Sequence, residues 1–419
     1  MDTYDVIIIG AGIVGSALGA VLGRDGRRVL VLERDLTEPD RIVGELLQPG
    51  GCKALEELGL SDCLVGIDAI PTYGYGILHS DQTIMIPYND LEDPTISQGI
   101  AKTDLDSDPK KLLTGRSFHH GRFIQKLRQA CASAPGTELK EATVTDLIYC
   151  EMTGKVIGIE CIQRLGGPEG SKTKHQYLGS VTVSADGCFS KFRKQALARP
   201  VTSTSNFVGL ILQDCPLPFP NHGHVVITKR SPSLLYQIGT RETRLLVNIP
   251  GKLPSTSNGD LKRYMQAEVL SDLPKSLHSC FLQALENDRL RSMPNSYLAP
   301  STSSIDGLIV LGDAMNMRHP LTGGGMTVGL KDVALLRKLL SPQALPDLAA
   351  TDMVMAQIQC FHWSRKYYSS TVNILAQALY ALFSASPEDT LMVYLQNACM
   401  AYFQQGGSCI SGPVGLLSG

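Results

Sequence analysis

The sequence predicts a mixed α/β (α+β) fold: a parallel sheet flanked by helices, a second sheet of mixed or antiparallel strands, and a C-terminal helical region. Three observations predict it. Residues 4–9 form a short apolar, β-branched run that meets Gly10-Ala11-Gly12-Ile13-Val14-Gly15, after which 16–22 is a good helix former and 28–32 a second apolar run ending at Glu33. Residues 180–185 and 307–311 repeat the buried-strand pattern, and each runs into an acid, Asp186 or Asp313. Between them, 207–212, 224–227, 234–238 and 244–249 are short strand candidates separated by Pro, Gly, Asn and Ser clusters, the pattern of a separate sheet.

The opening element is a strand, a glycine turn, a helix and a second strand, which makes a Rossmann-like βαβ unit. A lone G-x-G-x-x-G carries little weight, but here it follows a strand, opens a helix and is answered by Glu33 at the end of the next strand. Gly10, Gly12 and Gly15 let the backbone approach a pyrophosphate at the positive end of a helix, and Glu33 can accept hydrogen bonds from ribose hydroxyls. Arg34 beside it is compatible either with a nicotinamide 2′-phosphate or with the adenine border of a flavin dinucleotide.

The later acids favour flavin. Asp186-Gly187 supplies a second dinucleotide-contacting turn, and Gly312-Asp313 an acid able to hold a ribityl chain. Pro320 and Gly323-Gly324-Gly325-Met326 then open a helix whose first N–H groups can stabilise the negative charge of a reduced isoalloxazine. Arg122 opens a further helix and suits a phosphate or ribityl contact. His119 and His120 have no second ligand pair at metal spacing, so no metal site is expected.

Composition narrows the class. The 419 residues carry 38 Lys+Arg and 40 Asp+Glu, a net charge of −2, which excludes a nucleic-acid footprint built on global charge. Eleven cysteines with no two-residue pairing read as reduced thiols, and no secretory leader pattern is seen, so the folded part is expected to face the cytosol. The charged fraction of 19% lies below the usual ~25%, and the deficit is local. Residues 367–387 and 390–419 contain no charge. Polar Ser369, Ser370, Asn373 and Gln377 make the first run a poor spanning helix, so amphipathic helices at a bilayer interface are expected, with a buried helical pair as the alternative. The aperiodic stretch 89–114 reads as an exposed loop.

The blocks 44–51, 115–123, 290–294, 312–327, 372–380 and 412–417 together resemble the squalene monooxygenase (squalene epoxidase) family across nearly the whole chain. The resemblance implies FAD in a p-hydroxybenzoate-hydroxylase-type fold. Its FAD-binding domain would comprise 1–70, 115–200 and 301–345, its mixed-sheet substrate domain 71–114 and 201–300, and its membrane-associated helical region 346–419. It further implies that Ile13, Val14, Glu33, Arg34, Arg41, Leu46, Arg122, Val144, Asp313 and Met326 line the cofactor, alongside Gly324 and Gly325, and that Tyr75 and Gln48 form an active-site pair. Read alone, Tyr75 is a core or loop aromatic.

The implied reaction converts squalene and O2 to (S)-2,3-epoxysqualene through a flavin C4a-hydroperoxide. NADPH–cytochrome P450 reductase is the implied electron donor. The implied setting is the endoplasmic reticulum membrane with the catalytic part facing the cytosol, and a microsomal or lipid-droplet surface as a further location. The motifs specify the cofactor more tightly than the substrate, so another polyprenyl chain or prenylated intermediate stands as the alternative.

Overall fold

A computed structural model describes residues 3–79, 82–88, 113–165, 171–228, 231–287 and 289–419. The loop expected over 89–114 lies outside these residues apart from Leu113 and Thr114. The first sheet is built on Thr3–Ile9, which pairs in parallel with Val29–Glu33 on one side and with the last half of Ser171–Ser184 on the other. Thr137–Glu141 and Leu308–Val310 extend it in parallel at the two flanks. The central strands are buried on both faces, which their unbroken Val/Ile/Leu content requires. The first half of the 14-residue strand Ser171–Ser184 turns away and pairs antiparallel with Val156–Leu165, which pairs with Thr143–Tyr149.

Register decides where the chemistry falls. Ile9 is level with Leu32 and with Ser184, and Ser184 with Val310. Gly10, Glu33, Asp186 and Asp313, far apart in sequence, therefore emerge together at the carboxyl edge of one sheet, where open α/β folds bind ligands.

The second sheet has seven strands in the order Arg291–Tyr297, Thr202–Gln213, Glu242–Pro250, Ser233–Gln237, Gly223–Ile227, Gly74–His79 and Gln82–Pro87. All neighbours run antiparallel except Gly223–Ile227 with Gly74–His79. One face buries Leu210, Leu235 and Val247 against Leu261, Met265 and Phe281 of short helical segments. The other face presents Ile77, Ile86, Val225, Leu234 and Leu246 to the C-terminal helices. A three-stranded sheet of Leu46–Leu47, Gly115–Ser117 and Ile70–Thr72 lies apart from both.

The C-terminal region forms helices Thr351–Phe383, Thr390–Gln404 and Ser408–Ser418. Phe383, Met400, Phe403, Ile410 and Val414 are buried in the same cluster as the second sheet. The uncharged tail thus completes a core. It also leaves Tyr367, Ile374, Leu391 and Tyr394 exposed at 91%, 67%, 66% and 74%, so the apolar content is divided between two faces. No described helix is long and apolar enough to cross a membrane.

Candidate active site

A cavity of about 650 Å³ begins at the carboxyl edge of the first sheet and reaches the apolar face of the second. At the dinucleotide end, the helix Ile13–Arg24 starts directly after the glycine turn. The three glycines serve different ends. A side chain on Gly10 (φ +98°) would meet the Ala185 carbonyl at 2.7 Å, and one on Gly15 would meet the Gly10 carbonyl at 1.9 Å, so both permit close packing. A side chain on Gly12 would meet nothing within 4 Å, because Gly12 borders the cavity itself. Gly325, at the start of the helix Gly325–Leu339, is equally open and also borders the cavity. Two glycine backbones at the origins of two helices, each with room in front of it, make a cradle that a bulky dinucleotide fits.

Glu33 is held for this task. The Ala11 N–H donates to its Oε2 at 2.8 Å, and Arg128 Nη2 stands 3.7 Å from the same oxygen. Arg128 also donates to the carbonyls of Ala11 (2.9 Å) and Thr37 (3.0 Å), tying the turn to the segment beyond Glu33. Arg122, expected at the cofactor, is not among the residues that line the cavity, whereas Arg128 is. Both lie on the helix His120–Ala132, but six residues rotate a helix by roughly 600°, about a third of a turn away from alignment, so only Arg128 borders the cavity. Ile13, Val14, Arg34, Arg41, Leu46, Val144 and Met326 border it as well.

Asp186 borders the cavity, but its carboxylate is engaged within its own loop. It accepts from Ser184 Oγ at 2.6 Å and from the Lys191 N–H at 2.9 Å. Asp313 is different. Its carboxylate opens into the cavity, and no hydrogen bond to it occurs among the described residues. Enclosure by protein raises its pKa, opposed by the charges of Arg318, Arg41 and Arg193. Arg193 clamps the two acidic turns together, donating to the carbonyls of Ala314 (2.8 Å), Gly187 (3.0 Å), Cys188 (2.9 Å) and Asp313 (3.0 Å). A glycine cradle, an acid held at the end of the second strand and a second acid with an unengaged carboxylate, all lining one cavity, fit FAD.

Gln48 and Tyr75 come together where the cavity passes from one sheet to the other. Gln48 is fully buried and donates from Nε2 to the Tyr75 hydroxyl and, at 2.8 Å, to the Thr322 carbonyl. Tyr75 borders the cavity and donates to the same carbonyl at 3.0 Å. Thr322 precedes Gly323 (φ +63°), so the pair pins the turn that opens the helix Gly325–Leu339. Burial pushes the Tyr75 phenol up to about 12, which keeps it protonated. Gly324 faces away from the cavity, toward Val372 of the long C-terminal helix.

Beyond Tyr75 the wall is mainly apolar, built from Val225, Leu234, Leu246, Met293 and Leu321, with His224, Asn295 and Ser296 among its polar members. One charged group interrupts it. Glu45 is paired with Arg244 through contacts of 2.9 and 2.8 Å and accepts from the Tyr236 hydroxyl at 3.2 Å, all buried. His119 is engaged with Glu242 at 2.7 Å, and His120 Nδ1 donates to the Gly44 carbonyl at 2.8 Å. Among the described residues no three His, Cys, Asp or Glu side chains cluster to hold a metal. Sequence reasoning missed Arg128, Arg193 and Glu45; the strand-end pattern exposes acids that terminate apolar runs, and none of these three does so.

A family profile described as squalene epoxidase matches residues 178–419. An Aspergillus fumigatus squalene epoxidase is 50% identical over 417 residues, covering 99% of this chain and 82% of that protein. A mouse squalene monooxygenase is 46% identical, covering 99% and 68%. In fold, the chain resembles the p-nitrophenol 4-monooxygenase PnpA of Pseudomonas putida, with a TM-score of 0.75 at 16% identity over 100% of this chain and 99% of that one. The glycine cradle, the acids at the sheet edge and these matches lead to one conclusion: the chain belongs to the squalene epoxidase family.

Proposed function

We propose that this protein is an FAD-dependent monooxygenase that epoxidises the terminal alkene of squalene to (S)-2,3-epoxysqualene in sterol or triterpenoid biosynthesis. The observation that carries the reading is the single cavity joining the dinucleotide cradle to an apolar wall. Bound FAD, with electrons from NADPH delivered by NADPH–cytochrome P450 reductase, supplies the activation of O2. The protein's own residues do the rest. Glu33 and the Gly12 backbone hold the adenosine and pyrophosphate end, and Asp313 the ribityl chain. The first N–H groups of the helix Gly325–Leu339 favour negative charge on the cofactor.

Squalene offers no polar handle, so its affinity comes from burial of hydrocarbon at roughly 25 cal/mol per Å². Val225, Leu234, Leu246 and Leu321 provide that surface and keep water from the reacting centre. Tyr75, held protonated and bonded to Thr322, closes the polar end of the apolar chamber. Purified protein supplied with FAD, NADPH, the reductase and squalene is expected to form 2,3-epoxysqualene. Turnover of another polyprenyl chain with squalene left unchanged would replace this reading.

The working surface we propose is the cytosolic face of the endoplasmic reticulum membrane, or a lipid-droplet surface. Tyr367 and Ile374 stand on one face of their helix, and Leu391 and Tyr394 on one face of the next, all exposed. Removing the tail would strip the second sheet of Phe383, Met400 and Phe403, so the test is substitution. A variant with glutamate at all four positions is expected to keep its fold and lose flotation with phospholipid vesicles. Undiminished flotation would contradict the docking surface.

A further inference from the structure

The Gln48–Tyr75 pair has a third member. Tyr88 is 5% exposed, follows the strand Gln82–Pro87 and donates from its hydroxyl to Gln48 Oε1 at 2.6 Å. Its ring meets that of Tyr75 edge-on, with centroids 5.7 Å apart and planes at 77°. Tyr88 does not border the cavity. Its hydroxyl reaches the cofactor turn through the Gln48 amide and its ring through Tyr75, and Tyr88→Phe, which keeps the ring, isolates the part played by the hydroxyl.

The donors and acceptors of the cluster interlock. Tyr88 donates to Gln48 Oε1, Gln48 Nε2 donates to Tyr75 and to the Thr322 carbonyl, and Tyr75 donates to the same carbonyl. If the Tyr88 hydroxyl is removed, Oε1 becomes a buried acceptor without a donor. The donor within reach of a rotating amide is the Tyr75 hydroxyl, and capturing it takes that hydroxyl off Thr322. We propose that Tyr88 is a positioning residue: its hydroxyl locks the Gln48 amide, and through it fixes the Tyr75 hydroxyl and the Thr322 carbonyl beside the glycine turn. This rests on the functional reading above for its kinetic consequence, though not for its geometry.

The test is a cycle of Tyr88→Phe, Gln48→Leu and the double variant in the FAD-loaded full chain, read by steady-state kinetics and by the visible circular dichroism of the bound flavin. Tyr88→Phe is expected to lower kcat about tenfold, with KM for squalene within about twofold, and to change the flavin dichroism as Gln48→Leu does. In the Gln48→Leu background the same substitution is expected to change kcat less than about twofold and leave the dichroism unaltered. If Gln48→Leu does not fold, Gln48→Met, of similar length and without donor or acceptor pairs, takes its place.

Equal losses in both backgrounds would overturn the proposal, as would unchanged kcat and dichroism in Tyr88→Phe. Loss of flavin from Tyr88→Phe would also overturn it, since a positioning hydroxyl is not required for retention. If the intact chain fails to oxidise squalene, the functional reading falls, while the dichroism cycle still decides the role of Tyr88.

Discussion

Replacing Arg365 with leucine removes one half of an ion pair that joins the long C-terminal helix to the helix carrying Gly325. Arg365 Nε and Nη2 each lie 2.9 Å from Asp332, and both side chains are only 1% exposed. With the guanidinium gone, Asp332 keeps one protein donor among the described residues, the Tyr368 hydroxyl at 2.7 Å, for a carboxylate that is 1% exposed. Breaking a buried pair from one side costs about 3–5 kcal/mol, because the remaining charge is uncompensated. The chain's single tryptophan, Trp363, is two residues away on the same helix, so its fluorescence during urea unfolding reports on this region. Arg365→Leu is expected to lose about 3–5 kcal/mol in that transition. Arg365→Met combined with Asp332→Leu, which removes both charges, should return to within about 1–2 kcal/mol of the native chain. A loss below about 1 kcal/mol in the single variant would refute the reasoning, as would a double variant no more stable than the single.

The glycine turn predicts a contrast: Gly12→Ala should fold as the native chain does but bind FAD at least about tenfold more weakly, whereas Gly15→Ala, aimed at a carbonyl 1.9 Å away, should lose stability; thermal melts of the apoprotein and flavin titration separate them. Asp313→Ala should weaken FAD binding by about 10- to 100-fold, the scale of a lost hydrogen bond to a charged group, with an unchanged dissociation constant in flavin titration removing Asp313 from the site. His120 is buried with its pKa lowered to about 4, below its unfolded value of about 6.5, so the unfolded chain binds the extra proton. The stability held by neutral His120 is therefore complete above about pH 6.5 and declines toward pH 4, by about 3 kcal/mol at most, and His120→Asn should flatten that part of the stability–pH curve.

What was legible in the sequence was local. The strand at Thr3–Ile9, the glycine turn and Glu33 were readable because run length, turn chemistry and a terminal acid lie within one βαβ unit. Asp186 and Asp313 were readable as acids ending apolar runs, but their roles diverge for a reason that only three dimensions supply: Asp186 finds Ser184 and Lys191 within its loop, while Asp313 finds open cavity. Arg122 and Arg128 are equivalent as letters on a helix, and the face that packs against the first sheet distinguishes them. Tyr88 and Gln48 are separated by 40 positions, and nothing in local pattern joins them. The charge-free tail was visible at once, but its division between a face packed on the second sheet and a face left bare depends on what the sheet presents to it.

The most direct measurement is product analysis under isotopically labelled dioxygen, with the purified chain, FAD, NADPH, the reductase and squalene. The account predicts 2,3-epoxysqualene carrying one labelled oxygen atom, formed in proportion to bound flavin and reduced in Asp313→Ala as its flavin occupancy falls. Flavin-replete protein that consumes NADPH through the reductase and leaves squalene unoxidised would contradict it.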